Sequence, residues 1–266
     1  MLFGDQLIIV RGGGDLGTGV VSRLHRAGFP VVVLEIAEPL AIRRAVSFAS
    51  AVDGGAITVE GIEAKLADSV AAALELAHSG TVAVMVSPEL PPGLASLAVV
   101  DARLAKRNID TGIDQAPLVV GLGPGFTAGQ DCHAVVETAR GPRLGRVLWE
   151  GPAQANTGVP GVVGGESARR VIRASTAGRV RWRARIGDVV QVDQLLGHIE
   201  DEPVTSAIGG VVRGLIAEGR VVPTALKIAD IDPRADMAAC FEISDKALAV
   251  GGGALEAVLT HLNRAS

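Results

Sequence analysis

The sequence predicts an α/β protein, with a Rossmann-like, mostly parallel sheet carrying helices on both faces and a small all-β module inserted after it. Three observations carry that expectation. A strand, a glycine turn, a helix and a second strand follow one another over residues 8–35. Apolar runs then alternate with helix-length segments, and residues 177–231 hold an internal half-repeat.

The first strand is the apolar run Leu7 to Val10, which enters Gly12, Gly13, Gly14 and Gly17 in the pattern G-x-G-x-x-G. A helix-length segment ends at Gly28, and the run Val31 to Leu34 is closed by Glu35, eighteen residues past Gly17. Glycines let the backbone turn tightly and approach an anion, the helix start presents N–H groups and a positive dipole end, and an acid after the second strand accepts from a ribose hydroxyl. Gly12, Gly13, Gly14, Asp15, Gly17, Thr18 and Glu35 are therefore the first candidate cofactor-binding set. Asp15 would repel a pyrophosphate and reads equally well as the helix N-cap. Arg11 either offsets a phosphate charge or pairs with Asp15.

Arg43 and Arg44 follow Pro39 beyond Glu35, and their guanidinium forks suit phosphate oxygens; the alternative is a pair of exposed helix charges. Ala64 to His78 has helical apolar spacing, ended by Gly80. A strand over TVAVMVS stops at Pro88, Pro91 and Pro92, and VVDARLAKRN ends another strand in charge, where Asp101, Arg103 and Lys106 fit either polar groups at a strand end or a solvated helix start. Leu118 to Val120 enters a second glycine turn through Gly121, Gly123, Gly125 and Gly129, where Gly123 and Gly125 would act as Gly12 and Gly14 do.

A helix after Gly129 would place His133 and Glu137 one turn apart, with Asp131 as its cap and Cys132 beside them. Without a third ligand or a nucleophile this falls short of a site, so catalytic residues are unknown and no metal is expected. Residues 140–168, rich in Gly and Pro, read as a long loop and boundary in which Asn156 and Thr157 either close over the crevice or form a turn. The division expected is 1–168 for the α/β domain, 169–236 for the β module, and 237–266 for a segment returning to the first.

The half-repeat aligns Ala177 onward with Gly209 onward, matching Gly178 with Gly210, Gly187 with Gly219, Val189 and Val190 with Val221 and Val222, and Ile199 with Ile231. Such paired halves resemble the barrel-sandwich fold of biotinyl and lipoyl domains. Those domains present a modifiable lysine on the hairpin between the halves, whereas Glu200 to Ser206 contains none, so neither biotin nor lipoate is expected.

A net charge of −4, no tyrosine and 3% aromatic residues argue against a nucleic-acid partner. No apolar run approaches the ~20 residues of a membrane span, and the expected setting is the cytoplasm. Cys132 and Cys240 are too few and too distant for a disulfide framework or a CxxC metal site.

The strings RGGGDLGTGVVSRLHRAGF, EPLAIRRAVSF with VDGGAITVEG, DARLAKRN, GLGPGFTAGQDCHAVVETARG, NTGVPG, IADIDPR and ISDKALAVGGGALEAVL, in that order, resemble the YqeB-type family of selenium-dependent molybdenum hydroxylase system proteins. The resemblance covers essentially the whole chain. It implies an accessory role in maturing or inserting the molybdenum cofactor, with a molybdenum hydroxylase or its maturation machinery as partner. The resulting expectation is a factor that binds a phosphate-bearing cofactor, molybdopterin-type or a nucleotide, at the glycine turns. The rival readings are an NAD(P)-dependent oxidoreductase and a non-catalytic scaffold that docks a partner enzyme; a homo-oligomer is left open.

Overall fold

Consecutive Val, Ile and Leu residues give strands that can be buried on both faces, and the centre of the larger sheet is made of them. A computed structural model describes residues 1–156, 164–166 and 168–265. The chain divides into two units: Met1–Pro39, Ser47–Asn156 and Ile243–Ser266 in the first, Leu40–Val46 and Thr157–Glu242 in the second.

In the first unit β1 (Ile8–Arg11) leads through α1 (Asp15–Arg26) to β2 (Val31–Glu35). The short α2 (Ala51–Gly54), β3 (Ala56–Val59), β4 (Ile62–Ala67), α3 (Val70–His78), β5 (Val82–Val86), β6 (Ala98–Asp101) and β7 (Leu118–Leu122) follow, then β8 (Thr127–Ala128), β9 (Ala134–Val136), β10 (Val147–Leu148) and β11 (Gly151–Pro152). The unit closes with α4 (Asp245–Ala265). Among the described residues these strands form a nine-stranded sheet of order β10-β9-β7-β6-β1-β2-β5-β4-β3, with β8 and β11 paired separately.

The fold class expected from sequence is corrected here. The large sheet is mixed: β3 pairs β4 and β10 pairs β9 antiparallel at its two edges, and the second unit consists of antiparallel sheets. The physical reason lies in the connections. Only Glu60 and Gly61 join β3 to β4, too short for the crossover a parallel pair requires. The segment after β6 is irregular and holds Leu104 and Lys106 at φ 54° and 62°, so no helix returns the chain to β7. The helical spacing from Ala64 is corrected too: residues 62–67 form β4, with Ile62 and Ala64 buried on either side of the exposed Glu63, and the helix starts only after Ser69, whose Oγ accepts from Ala72 N at 3.2 Å.

α3 covers the face formed by Ile9, Val32, Leu34, Ala83, Met85 and Val99. α1 packs on α4 through glycine: a Cβ on Gly19 would strike the carbonyl of Ala247, and one on Gly251 the carbonyl of Gly19. Each fully buried aliphatic side chain in this core stabilises the fold by about 1.5–3 kcal/mol before entropy is subtracted.

The second unit contains β12 (Val171–Arg173), β13 (Gly178–Trp182), β14 (Val189–Val190), β15 (Leu195–Ile199), β16 (Glu202–Thr205), β17 (Gly210–Leu215), β18 (Val221–Val222) and β19 (Lys227–Asp232). Among the described residues they form two four-stranded sheets, β12-β19-β17-β14 and β16-β15-β13-β18. The half-repeat is visible strand by strand: β13, β14 and β15 recur as β17, β18 and β19, and Gly178 and Gly210 share φ near 155° (153° and 157°). Pairing crosses the halves, β13 with β18 and β17 with β14. Val180, Val190, Ile199, Val212, Val222 and Ile231, all repeat-matched positions, fill the core between them. No helix of the described residues is long and apolar enough to cross a membrane.

Candidate functional site

The first glycine turn is built from backbone polar groups that its own neighbours satisfy. The Gly13 carbonyl accepts from Ser47 Oγ at 2.8 Å, Ala49 N at 3.0 Å and Thr18 Oγ1 at 3.1 Å. Thr18 Oγ1 in turn accepts from Phe48 N at 3.0 Å, so this buried hydroxyl holds the turn to residues 47–49. Glu35 Oε1 accepts from Gly13 N at 2.7 Å and Oε2 from Ile36 N at 3.0 Å. Burial pushes the Glu35 carboxyl above its ordinary range, against the pull of those two N–H groups.

Three of the four glycines are required by packing. A Cβ on Gly12 would lie 3.0 Å from the Ala102 carbonyl, one on Gly13 2.9 Å from Ala49 N, and one on Gly17 against the Gly12 carbonyl. Gly14 alone faces open space. It is the N-cap of α1, at φ −67° and ψ −171°, with no side-chain cap. Asp15 is therefore the first helical residue and not the cap.

The second turn differs. A Cβ on Gly121 would meet the Phe126 ring at 2.5 Å, one on Gly123 the Thr138 hydroxyl, and one on Gly125 the Arg107 backbone at 2.6 Å. Gly123 and Gly125 thus receive parts of their own chain. Segment 102–117 also lies between the turns, since Arg11, Asp101 and Gly121 are level across β1, β6 and β7 and Gly12 and Gly125 pack on Ala102–Arg103 and Arg107.

The helix expected after Gly129 is replaced by β9, because 134–136 are β-branched or small residues wholly buried in the sheet. His133 Nδ1 takes the Val119 N–H at 2.9 Å. Asp131 accepts from Thr127 N at 2.8 Å and Asn108 Nδ2 at 3.1 Å, and Glu137 from Ala139 N at 2.6 Å and Gln154 N at 2.8 Å. These three side chains brace loops and do not share a helix face. Cys132 is buried, and desolvation pushes its thiol up to about 11, which keeps it protonated and unreactive at neutral pH.

Arg43 and Arg44 belong to the second unit. Arg43 is buried, and its Nη2 donates to the carbonyls of Ala239 at 3.0 Å and Glu242 at 2.8 Å; Arg44 Nε donates to Leu215 O at 2.8 Å. Neither is an exposed helix charge. Asn156 is exposed at the end of the described stretch, and Thr157 lies outside the described residues.

Two features escaped the sequence. Lys246 near the start of α4 stands in the field of Asp15 and Glu137, and burial, followed by the charge of Arg140, keeps its amine below the ordinary lysine range. Arg11 does not pair with Asp15: it is buried and bound to Asp110, with Asp101, Arg103 and Thr111 in the same network. An arginine ending an apolar strand signals that a partner is needed, yet nothing local points to residue 110. Among the described residues no group of three or more His, Cys, Asp or Glu could hold a metal ion. The start of α1 at Gly14 has no side-chain cap and open space beside it, and the Lys246 amine stands in the field of Asp15, the first residue of that helix.

No protein-family model matches the chain. It is 49% identical over 258 residues, 96% of its length, to "Uncharacterized protein YqeB" of Escherichia coli (strain K12), and it spans 48% of that protein, about half the length of the curated relative it matches. Two solved structures align with it: an aspartoacylase family protein from Mesorhizobium loti (12% identity, 85% of this chain and 84% of that one, TM-score 0.29) and a succinylglutamate desuccinylase/aspartoacylase from Rhodobacter sphaeroides (17% identity, 85% and 84%, TM-score 0.27).

Proposed function

We propose that this chain is an accessory factor that binds a phosphate-bearing cofactor at the Gly14 end of α1, in the service of a molybdenum hydroxylase. The observation that carries the binding step is the contrast at Gly14: the other three glycines of its turn are filled by the protein's own backbone, while this one leaves an uncapped helix start facing open space. Backbone N–H groups and the helix dipole recognise phosphate oxygens, and Lys246 adds charge from the start of α4. The hydroxylase role rests on the family resemblance of the quoted strings. A molybdopterin-type cofactor would contribute its own metal chemistry; the residues here would hold its phosphate. A dinucleotide is disfavoured because Glu35 already accepts from Gly13 and Ile36 where a ribose hydroxyl would need it.

Titration of the purified protein with ATP, NADH, NADPH and molybdenum cofactor tests the reading, each run on the parent and on Gly14→Val. Gly14 has φ −67°, which valine also adopts, so the variant should stay folded while its side chain fills the phosphate's place. An affinity loss of about tenfold or more, equal to roughly 1.4 kcal/mol, is expected for the ligand that binds. Equal affinity in a folded variant would remove Gly14 from the site.

A further inference from the structure

Residues 102–117 are fastened over the sheet by two guanidinium groups closed by one carboxylate. Arg11 ends β1 with a side chain 2% exposed, and Asp110, 39% exposed, gives it both oxygens: Arg11 Nη1 reaches Oδ1 at 2.9 Å and Nη2 reaches Oδ2 at 2.9 Å. Arg103 Nη2 donates to the same Oδ1 at 2.6 Å. Arg103 is held from its other side by Asp101 Oδ2 at 2.6 Å, and Arg11 is also tied to Pro88 O at 3.0 Å and to Thr111 Oγ1 at 3.4 Å. The two cations are thus fixed from within, while the carboxylate between them arrives from the solvent side.

A buried arginine is costly without a permanent partner, and the partner used here is the most exposed member of the network. Asp101, 2% exposed and bound by Arg103 and Thr111, completes the receptor wall and is not the movable group. Two arginines against Asp101 and Asp110 sum to zero, so exchanging Asp110 for another monovalent carboxylate preserves the balance, while a phosphate dianion would upset it. The irregular segment carrying Asp110 back to β7 begins with Leu104 and Lys106 in the left-handed region, a conformation that swinging Asp110 out would be free to relax.

We infer that Arg11 and Arg103 form a receptor for the carboxylate of a small molecule, and that Asp110 is the protein's own stand-in, displaced when that ligand binds. The site lies at the ends of β1 and β6 and uses neither Gly14 nor the start of α1, so it stands independently of the phosphate reading.

The experiment is chemical rescue. Asp110→Ala removes the carboxylate from between the guanidinium groups, and because Asp110 is 39% exposed its place is open for the carboxylate of added acetate, with the methyl group toward solvent. Its melting temperature should fall, and sodium acetate should restore it where sodium chloride at equal ionic strength does not. In Asp110→Ala/Arg103→Gln the half-restoring acetate concentration should rise about tenfold, the loss expected for one charge-assisted hydrogen bond. Absence of an acetate-specific effect, or equal restoration in the double variant, overturns the receptor. Restoration by phosphate and not by acetate overturns the carboxylate assignment. If Asp110→Ala does not fold, hydrogen exchange on the parent decides the matter: acetate should speed exchange across 102–117, and unchanged exchange overturns displacement. Repeating the rescue in a Gly14→Val background separates the two sites, since it should persist there.

Discussion

The two glycine turns follow β1 and β7, strands of one sheet separated by β6, and both are rich in glycine, yet they use it for different ends. After β7, Gly121, Gly123 and Gly125 make room for Phe126, Thr138 and the Arg107 backbone, all parts of the same chain. After β1, Gly12, Gly13 and Gly17 do the same work, and one position, Gly14, is left facing outward. The difference teaches that a glycine motif reports close approach without saying what approaches. Only the neighbour's identity separates a packing turn from a binding turn.

The comparison breaks first at Gly125. Its φ of +111° and the Arg107 backbone at 2.6 Å mean that Gly125→Ala combines a left-handed strain with an immovable contact, and a loss of about 3 kcal/mol in a urea titration is expected. A variant as stable as the parent would show that the second turn is as open as the first.

A smaller effect is expected at Glu35. Its carboxyl pKa is raised by burial, so the folded chain keeps that proton longer than the unfolded chain does. The associated stability is complete below the ordinary value of about 4.3 and is lost as pH rises through the raised one. Glu35→Gln, which can still accept from Gly13, should flatten the fall in melting temperature over that window by on the order of 2 °C. A profile identical to the parent's would mean that Glu35 titrates as if solvated.

The smallest effect belongs to Gly14→Ala. With nothing within 4 Å of the added carbon and an ordinary φ, it should cost under about 1 kcal/mol, the scale of an N-cap change. A larger loss in thermal melts would place Gly14 among the packing glycines and erase the contrast.

Much of the first turn was legible in advance, because Leu7 to Glu35 combines strand, glycine and helix signals that agree with one another. The edges of the sheet were not. Residues 64–67 are held as part of β4 by pairing with β3 and β5 on either side; in isolation their alanines merge with the apolar spacing of α3. The segment after Gly129 is ambiguous for the complementary reason: Val135 and Val136 are strand formers, but the local charge pattern of Asp131, His133 and Glu137 imitates a helix face. Arg43 was legible as a cation and not as a buried one, since its carbonyl partners at Ala239 and Glu242 are remote in sequence. The Arg11–Asp110 pair was hidden by the same remoteness.

The crossed pairing of the half-repeat has its own consequence for how the second unit is made and lost. β13 borrows an edge from β18 and β17 borrows one from β14, so neither half owns a complete sheet or a complete side of the core. The halves are therefore a single cooperative element: one cannot melt and leave the other standing, and the chain must bring both together before either gains from its own strands. Such non-local closure is slow. The half-repeat of this unit gives mutual dependence rather than redundancy.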